Sequence, residues 1–107
     1  MRRHSPVAAA AAWALLSVSA PAAAVPRTYT IVVDKMQFGD LPARVRKGDI
    51  IVWDNRDIFR HSVTAKGAFD VDLPAGKTVK MRVTRAGSFP FLCKYHPGMK
   101  GVLRVAK

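Results

Sequence analysis

The chain has 107 residues, 18 basic against seven acidic, and a formal net charge of +11. That length holds one domain, and a single cysteine rules out an internal disulfide framework. The acids are all aspartate, and the basic residues are scattered without a long block, which does not describe a nucleic-acid-binding tract.

The first predicted element is not part of the fold. Met1, Arg2 and Arg3 precede an apolar run, Val7 to Ala20, and then Pro21 and Ala22-Ala23-Ala24. A basic start, a short apolar stretch and small residues at the exit describe a secretory signal peptide, with cleavage expected after Ala24. The run is 14 residues long, short of the roughly 20 that a spanning helix needs. The mature form is therefore not expected to insert stably in a membrane. Domain boundaries follow: 1–24 signal peptide, 25–107 folded domain. Removing 1–24 takes away two basic residues and no acid, leaving +9 on 83 residues. Such a charge favours encounter with an acidic partner, an anionic membrane surface or nucleic acid, and export argues against nucleic acid.

From Val25 onward the pattern becomes short apolar stretches separated by turn residues. The stretches are Tyr29–Val33, Pro42–Val45, Ile50–Trp53, Ser62–Thr64, Phe69–Leu73, Thr78–Val83, Phe89–Cys93 and Gly101–Val105. In Val79-Lys80-Met81-Arg82-Val83 one face is apolar and the other cationic, as a half-buried strand requires. Lys47-Gly48-Asp49, Lys66-Gly67, Pro74-Ala75-Gly76 and Ala86-Gly87-Ser88 supply the turns. About eight strands with turns at this spacing predict an all-β sandwich. Pro90 cannot donate to a ladder, so its position is expected at an edge or irregularity.

The chemistry gathers late in the chain. An exported protein with one cysteine must bury that thiol or use it. In Cys93-Lys94-Tyr95-His96-Pro97-Gly98-Met99 a thiol, an imidazole and a thioether follow one another at intervals of three. The only other histidine after residue 25 is His61. Two imidazoles and a thiolate, with Met99 as a weak fourth donor, form the ligand set of an electron-transfer copper site. Zinc could also accept one cysteine and two histidines, although structural zinc sites usually offer four strong ligands. A cysteine–histidine nucleophile is the third reading; no residue is evident to orient its imidazole.

These motifs resemble the cupredoxins, the blue copper proteins, and most closely the amicyanin branch of the plastocyanin-like group. The resemblance rests on Asp34-Lys35-Met36-Gln37-Phe38, Val45-Arg46-Lys47-Gly48-Asp49, Val52-Trp53-Asp54-Asn55-Arg56 followed by His61, Ala86-Gly87-Ser88-Phe89, and Cys93-x-x-His96-Pro97-x-Met99-x-Gly101. It implies a Greek-key sandwich with one copper ion near a pole, His61, Cys93 and His96 as strong ligands and Met99 as a distant axial one. It also implies a small periplasmic monomer, not an enzyme, that carries single electrons between redox proteins such as a dehydrogenase and a c-type cytochrome. The other function compatible with these ligands is copper delivery or protection without redox cycling. The edge of His96 would be the electron port, within a patch of Pro97, Gly98, Met99 and Phe59 and a cationic rim of Arg60, Lys94 and Lys100. Ser62 stands where the family usually has the asparagine that ties the two ligand loops together. The segment between His61 and Cys93 is shorter than in amicyanin, so the surface that docks an amine dehydrogenase is not expected to be complete.

Overall fold

The computed structural model describes residues 3–5, 10–15, 17 and 25–107. The expected cleavage point after Ala24 lies outside the described residues. Among them, no helix is long and apolar enough to cross a membrane.

Nine strands form two sheets: β1 (Thr28–Asp34), β2 (Gln37–Phe38), β3 (Val45–Arg46), β4 (Ile50–Asn55), β5 (His61–Ala65), β6 (Phe69–Leu73), β7 (Thr78–Arg82), β8 (Gly87–Cys93) and β9 (His96–Ala106). The first sheet runs β2-β1-β4-β7 and the second β3-β9-β8-β5-β6. Pairs β1–β4 and β3–β9 are parallel, and the other pairs are antiparallel. The chain crosses between sheets repeatedly, the expected Greek-key sandwich.

Period-two alternation decides the inner faces. On β1 Ile31 and Val33 are fully buried; on β4 Ile51, Trp53 and Asn55 are. The second sheet contributes Val63, Leu73, Phe91, Cys93, Met99, Leu103 and Val105 to the same core. Phe38, Trp53 and Phe91 bind the sheets edge to face, with ring centroids 4.9–6.1 Å apart. Gly101 lies opposite Phe91, and a Cβ there would come within 2.7 Å of the ring, so only glycine lets that ring lie flat. The Trp53 Nε1 is buried without a partner, a local cost accepted for the aromatic packing.

Three expectations require correction. Only Val45 of the Pro42–Val45 stretch is in a strand. The two-residue β2 was not anticipated, because the turn before it, Lys35-Met36, holds φ angles of 51° and 60° with neither glycine nor asparagine to announce them. The last strand begins at His96 instead of Gly101. Pro90 lies inside the second sheet, paired with Val102 of β9. On its other side the Thr64–Leu92 register puts it opposite the Lys66 turn, past the end of β5. The irregularity itself falls between Leu92 and Cys93.

Candidate metal centre

β4, β6 and β8 end, and β5 and β9 begin, at the same pole of the sandwich. His61 opens β5, Cys93 closes β8, and His96 opens β9 after the two-residue turn Lys94-Tyr95. Cys93 and His96 are thus cross-strand partners at the end of one hairpin. His61 comes from the neighbouring strand.

The three side chains converge. Cys93 Sγ lies 3.8 Å from His61 Nδ1 and 3.7 Å from His96 Nδ1. All three donor atoms fall within 4.8 Å of one another. Metal–nitrogen and metal–sulfur bonds of about 2.0–2.3 Å would let a single ion touch all three. His61 and Cys93 are fully buried, while His96 is half-buried. Met99 lies three residues beyond His96 on β9 and is only 6% exposed, within the apolar core. Its expected place in a surface patch is therefore corrected: the strand's alternation turns it inward.

Asp57 and Asn55 fix His61. The Asp57 carboxylate lies 2.7 Å from His61 Nε2, so that nitrogen carries the proton and Nδ1 keeps its lone pair for a metal. The same carboxylate accepts the backbone N–H groups of Lys35 (2.9 Å) and Met36 (3.0 Å), gripping the left-handed turn between β1 and β2. Burial pushes the Asp57 carboxyl up, but the hydrogen bonds from Met36, His61 and Lys35 outweigh it and hold it below the usual carboxylate range. Asn55, fully buried, donates through Nδ2 to the carbonyls of Phe59, Leu73 and Pro74, and its Oδ1 accepts the Asp57 N–H. The loop from Asn55 to His61 is thereby tied at both ends.

Ser62 links the two ligand segments. Its N–H donates to Cys93 Sγ at 3.3 Å, and its Oγ accepts the N–H of Lys94 at 2.9 Å. Thr64 donates its hydroxyl proton to Asp70, so Ser62 must donate its own to Thr64. Lys94 Nζ reaches Asp70 at 3.3 Å and closes the ring. The tie expected of an asparagine is therefore made by this serine. The Ser62 N–H also steadies the sulfur that a metal would bind.

The expected cationic rim needs correction too. Arg60 lies 3.6 Å from Asp72 and Lys94 lies 3.3 Å from Asp70, so two of its three charges face carboxylates from β6. Around His96 the exposed surface is apolar: the Phe59 ring sits 6.2 Å from its imidazole and is 49% exposed, with Ile58 (85%) and Tyr95 (45%) in the flanking segments. Sequence reasoning missed Asp57, Asn55 and Ile58. The only signal for Asp57 was a carboxylate four residues before His61.

Comparison with known proteins agrees with this arrangement. A family model described as Cupredoxin-like domain matches residues 6–105. Amicyanin-alpha of Methylorubrum extorquens is 30% identical over 105 residues, covering 91% of this chain and 85% of that protein. Among solved structures, the reduced state of a proline-to-phenylalanine mutant of amicyanin superposes with a TM-score of 0.64 at 23% identity, covering 74% of this chain and 82% of that one. The Cu(I) form of a methionine-to-alanine mutant of amicyanin gives a TM-score of 0.65 at 23% identity, covering 78% and 86%. At that identity the structural likeness speaks for the fold.

Proposed function

The chain belongs to the cupredoxin-like family, and from that premise we propose that it holds one copper ion through His61, Cys93, His96 and Met99 and carries single electrons between redox proteins. The observation that carries this reading is the pair of imidazole Nδ1 atoms facing one buried cysteine sulfur at 3.8 and 3.7 Å. Bound copper would supply a one-electron couple, for which thiolate, thioether and imidazole are suited donors.

The protein's own part is positional. Asp57 orients His61, and the Ser62 N–H steadies the Cys93 sulfur. Both contacts hold the donors from the protein side, which would limit their movement when the charge on the ion changes. Met99, buried three residues after His96, would add a thioether to the donor set. His96 alone among the three donors reaches the surface, and the apolar ground of Phe59 around it lets a partner approach closely while excluding water. We read residues 1–24 as a signal peptide cut after Ala24, and the periplasm as the place of work. The partners are redox proteins of the dehydrogenase or c-type cytochrome kind.

Adding Cu(II) to the purified metal-free protein is expected to give an intense visible thiolate-to-copper band, absent in Cys93→Ser. Mixing the loaded protein with a cytochrome c should then transfer electrons rapidly in both directions. A colourless complex would remove the copper assignment. A coloured complex that exchanges electrons slowly with every partner would leave copper handling in place of electron carriage.

A further inference from the structure

The two poles differ in how their charges are compensated. Near the metal centre three cations face carboxylates, Asp54 with Arg56, Asp72 with Arg60 and Asp70 with Lys94, while Lys35 and Lys77 stand there without an ion-pair partner among the described residues. β9 runs 11 residues from His96 to Ala106, and at ~3.3 Å per residue it ends about 33 Å away. There Ala106 pairs with Arg46 of β3, beside a cleft of about 790 Å³. Its walls carry Arg27, Arg44, Arg46, Lys47 and Lys107. Among the described residues, none of these five has an ion-pair partner. The one acid in the cleft is Asp49, whose oxygens accept the backbone N–H groups of Arg27 and Arg46 at 2.9 and 2.8 Å. Its carboxylate therefore folds the loop and leaves the side-chain cations to face outward.

A second observation concerns where the chain enters. Val25 and Pro26 line the same cleft, and Val25 is 83% exposed. Cations ringed around exposed apolar side chains suit a surface of phosphate headgroups over hydrocarbon.

We propose that the pole opposite the metal centre docks on membrane surfaces bearing anionic phospholipid headgroups and holds the domain with His96 turned toward the aqueous side. The five cations supply the attraction, and the exposed Val25 and Pro26 touch the interface. A partner can then approach His96 while the domain stays on the surface. The proposal does not depend on which metal the other pole holds.

The test is co-sedimentation of the protein, as cells accumulate it, with phosphatidylglycerol-containing vesicles and with pure phosphatidylcholine vesicles. Each Lys or Arg near an anionic surface strengthens binding about fivefold. The triple variant Arg44→Gln, Arg46→Gln, Lys47→Gln is expected to bind anionic vesicles about a hundredfold more weakly. The variant Arg60→Gln, Lys94→Gln, Lys100→Gln has the same net charge and is expected to bind as the parent does. Lys47→Glu alone, in an exposed turn that a substitution leaves folded, should weaken binding about 25-fold, two charges at fivefold each. Raised salt should release the protein. Equal losses in the two triple variants would overturn the proposal, because net charge alone would then explain binding. It is also overturned by equal binding to phosphatidylcholine, or by tight binding of inorganic pyrophosphate with vesicles ignored.

Discussion

Replacing Asp57 with asparagine tests the architecture of the metal pole at its most connected residue. One carboxylate receives three donors: Lys35 N, Met36 N and His61 Nε2, at 2.9, 3.0 and 2.7 Å. Hydrogen bonds to a charged group contribute about 1.5–3 kcal/mol each. An amide of the same shape keeps one acceptor oxygen where Oδ2 stood, facing Met36 N–H and His61 Nε2, and turns an N–H₂ toward Lys35 N–H, so one bond is lost and the other two lose their charge assistance. The Asp57 side chain is 11% exposed, and water softens the loss toward the lower end of the range. Asp57→Asn is therefore expected to destabilise the metal-free protein by about 3 kcal/mol. That is a large share of the roughly 5–15 kcal/mol that holds a domain folded. Urea unfolding followed by the fluorescence of Trp53 measures it. The metal-loaded protein supplies the second readout. A carboxylate on the far nitrogen makes an imidazole a stronger donor, and its removal typically costs 10–100-fold in metal affinity. Cu(II) binding should weaken by that factor, and the reduction potential should rise, since Cu(II) depends more on donor strength. A loss of less than about 0.5 kcal/mol would refute the stability reasoning. An unchanged potential in a destabilised variant would refute the assignment of Asp57 as the residue that tunes His61.

Other substitutions probe the same network and its surroundings. Ser62→Ala leaves the part-buried Lys94 N–H without its acceptor and is expected to cost about 1 kcal/mol in thermal unfolding. Combined with Asp70→Asn it should fall short of additive, because both break the same ring of bonds. Lys35→Gly relieves a left-handed residue with φ 51°; denaturant titration should show a gain of about 1 kcal/mol. For Asp49, hydrogen bonds from the Arg27 and Arg46 backbone hold the carboxyl below its ordinary 3.8 despite burial. A depressed folded-state pKa gives stability that is complete above 3.8 and drains as pH falls through the folded value. The stability gap between the parent and Asp49→Asn should hence be constant at neutral pH and close below that point. A gap that persists in strong acid would contradict the assignment.

Much of this fold was legible because its strands are bounded by water on one side. Val79–Val83 alternates strictly, and β7 occupies nearly that span. The failures have specific causes. Lys35 and Met36 adopt left-handed angles because the Asp57 carboxylate accepts both of their N–H groups. That acceptor lies 21 residues beyond Met36, so local sequence carries no trace of it. Pro97 and Gly98 read as a bend, yet the hairpin pairing of Cys93 with His96 starts the strand ahead of them. The Cys93-x-x-His96 spacing announced that these two side chains would meet, and Cys93 Sγ lies 3.7 Å from His96 Nδ1. Their supports were not announced, since Asn55, Asp57 and Asp70 act across loops and strands. The surface around the site was misjudged for the same reason: β6 carries Asp70 and Asp72 outward, beside the cations of neighbouring segments.

Charge compensation follows from strand order. β6 is the edge strand beyond β5, and its outward aspartates fall beside Lys94 and Arg60 because β5 and β6 pair His61 with Leu73 and Thr64 with Asp70. At the far pole β3 is the opposite edge, a two-residue strand flanked by Arg44 and Lys47, and its neighbour β9 ends in Lys107. No aspartate-bearing strand borders that edge. A net +9 on residues 25–107 is thus not spread evenly. The pole with the metal donors presents an apolar face with three ion pairs around it, and the other presents a cleft of five cations without an ion-pair partner among the described residues. An apolar face permits close, short-lived contact with many partners, as the proposed electron exchange through His96 would require. A cationic cleft favours lasting attachment to an anionic surface. The same edge-strand arrangement that makes the sandwich asymmetric would therefore separate the proposed place of exchange from the proposed place of attachment by the length of β9.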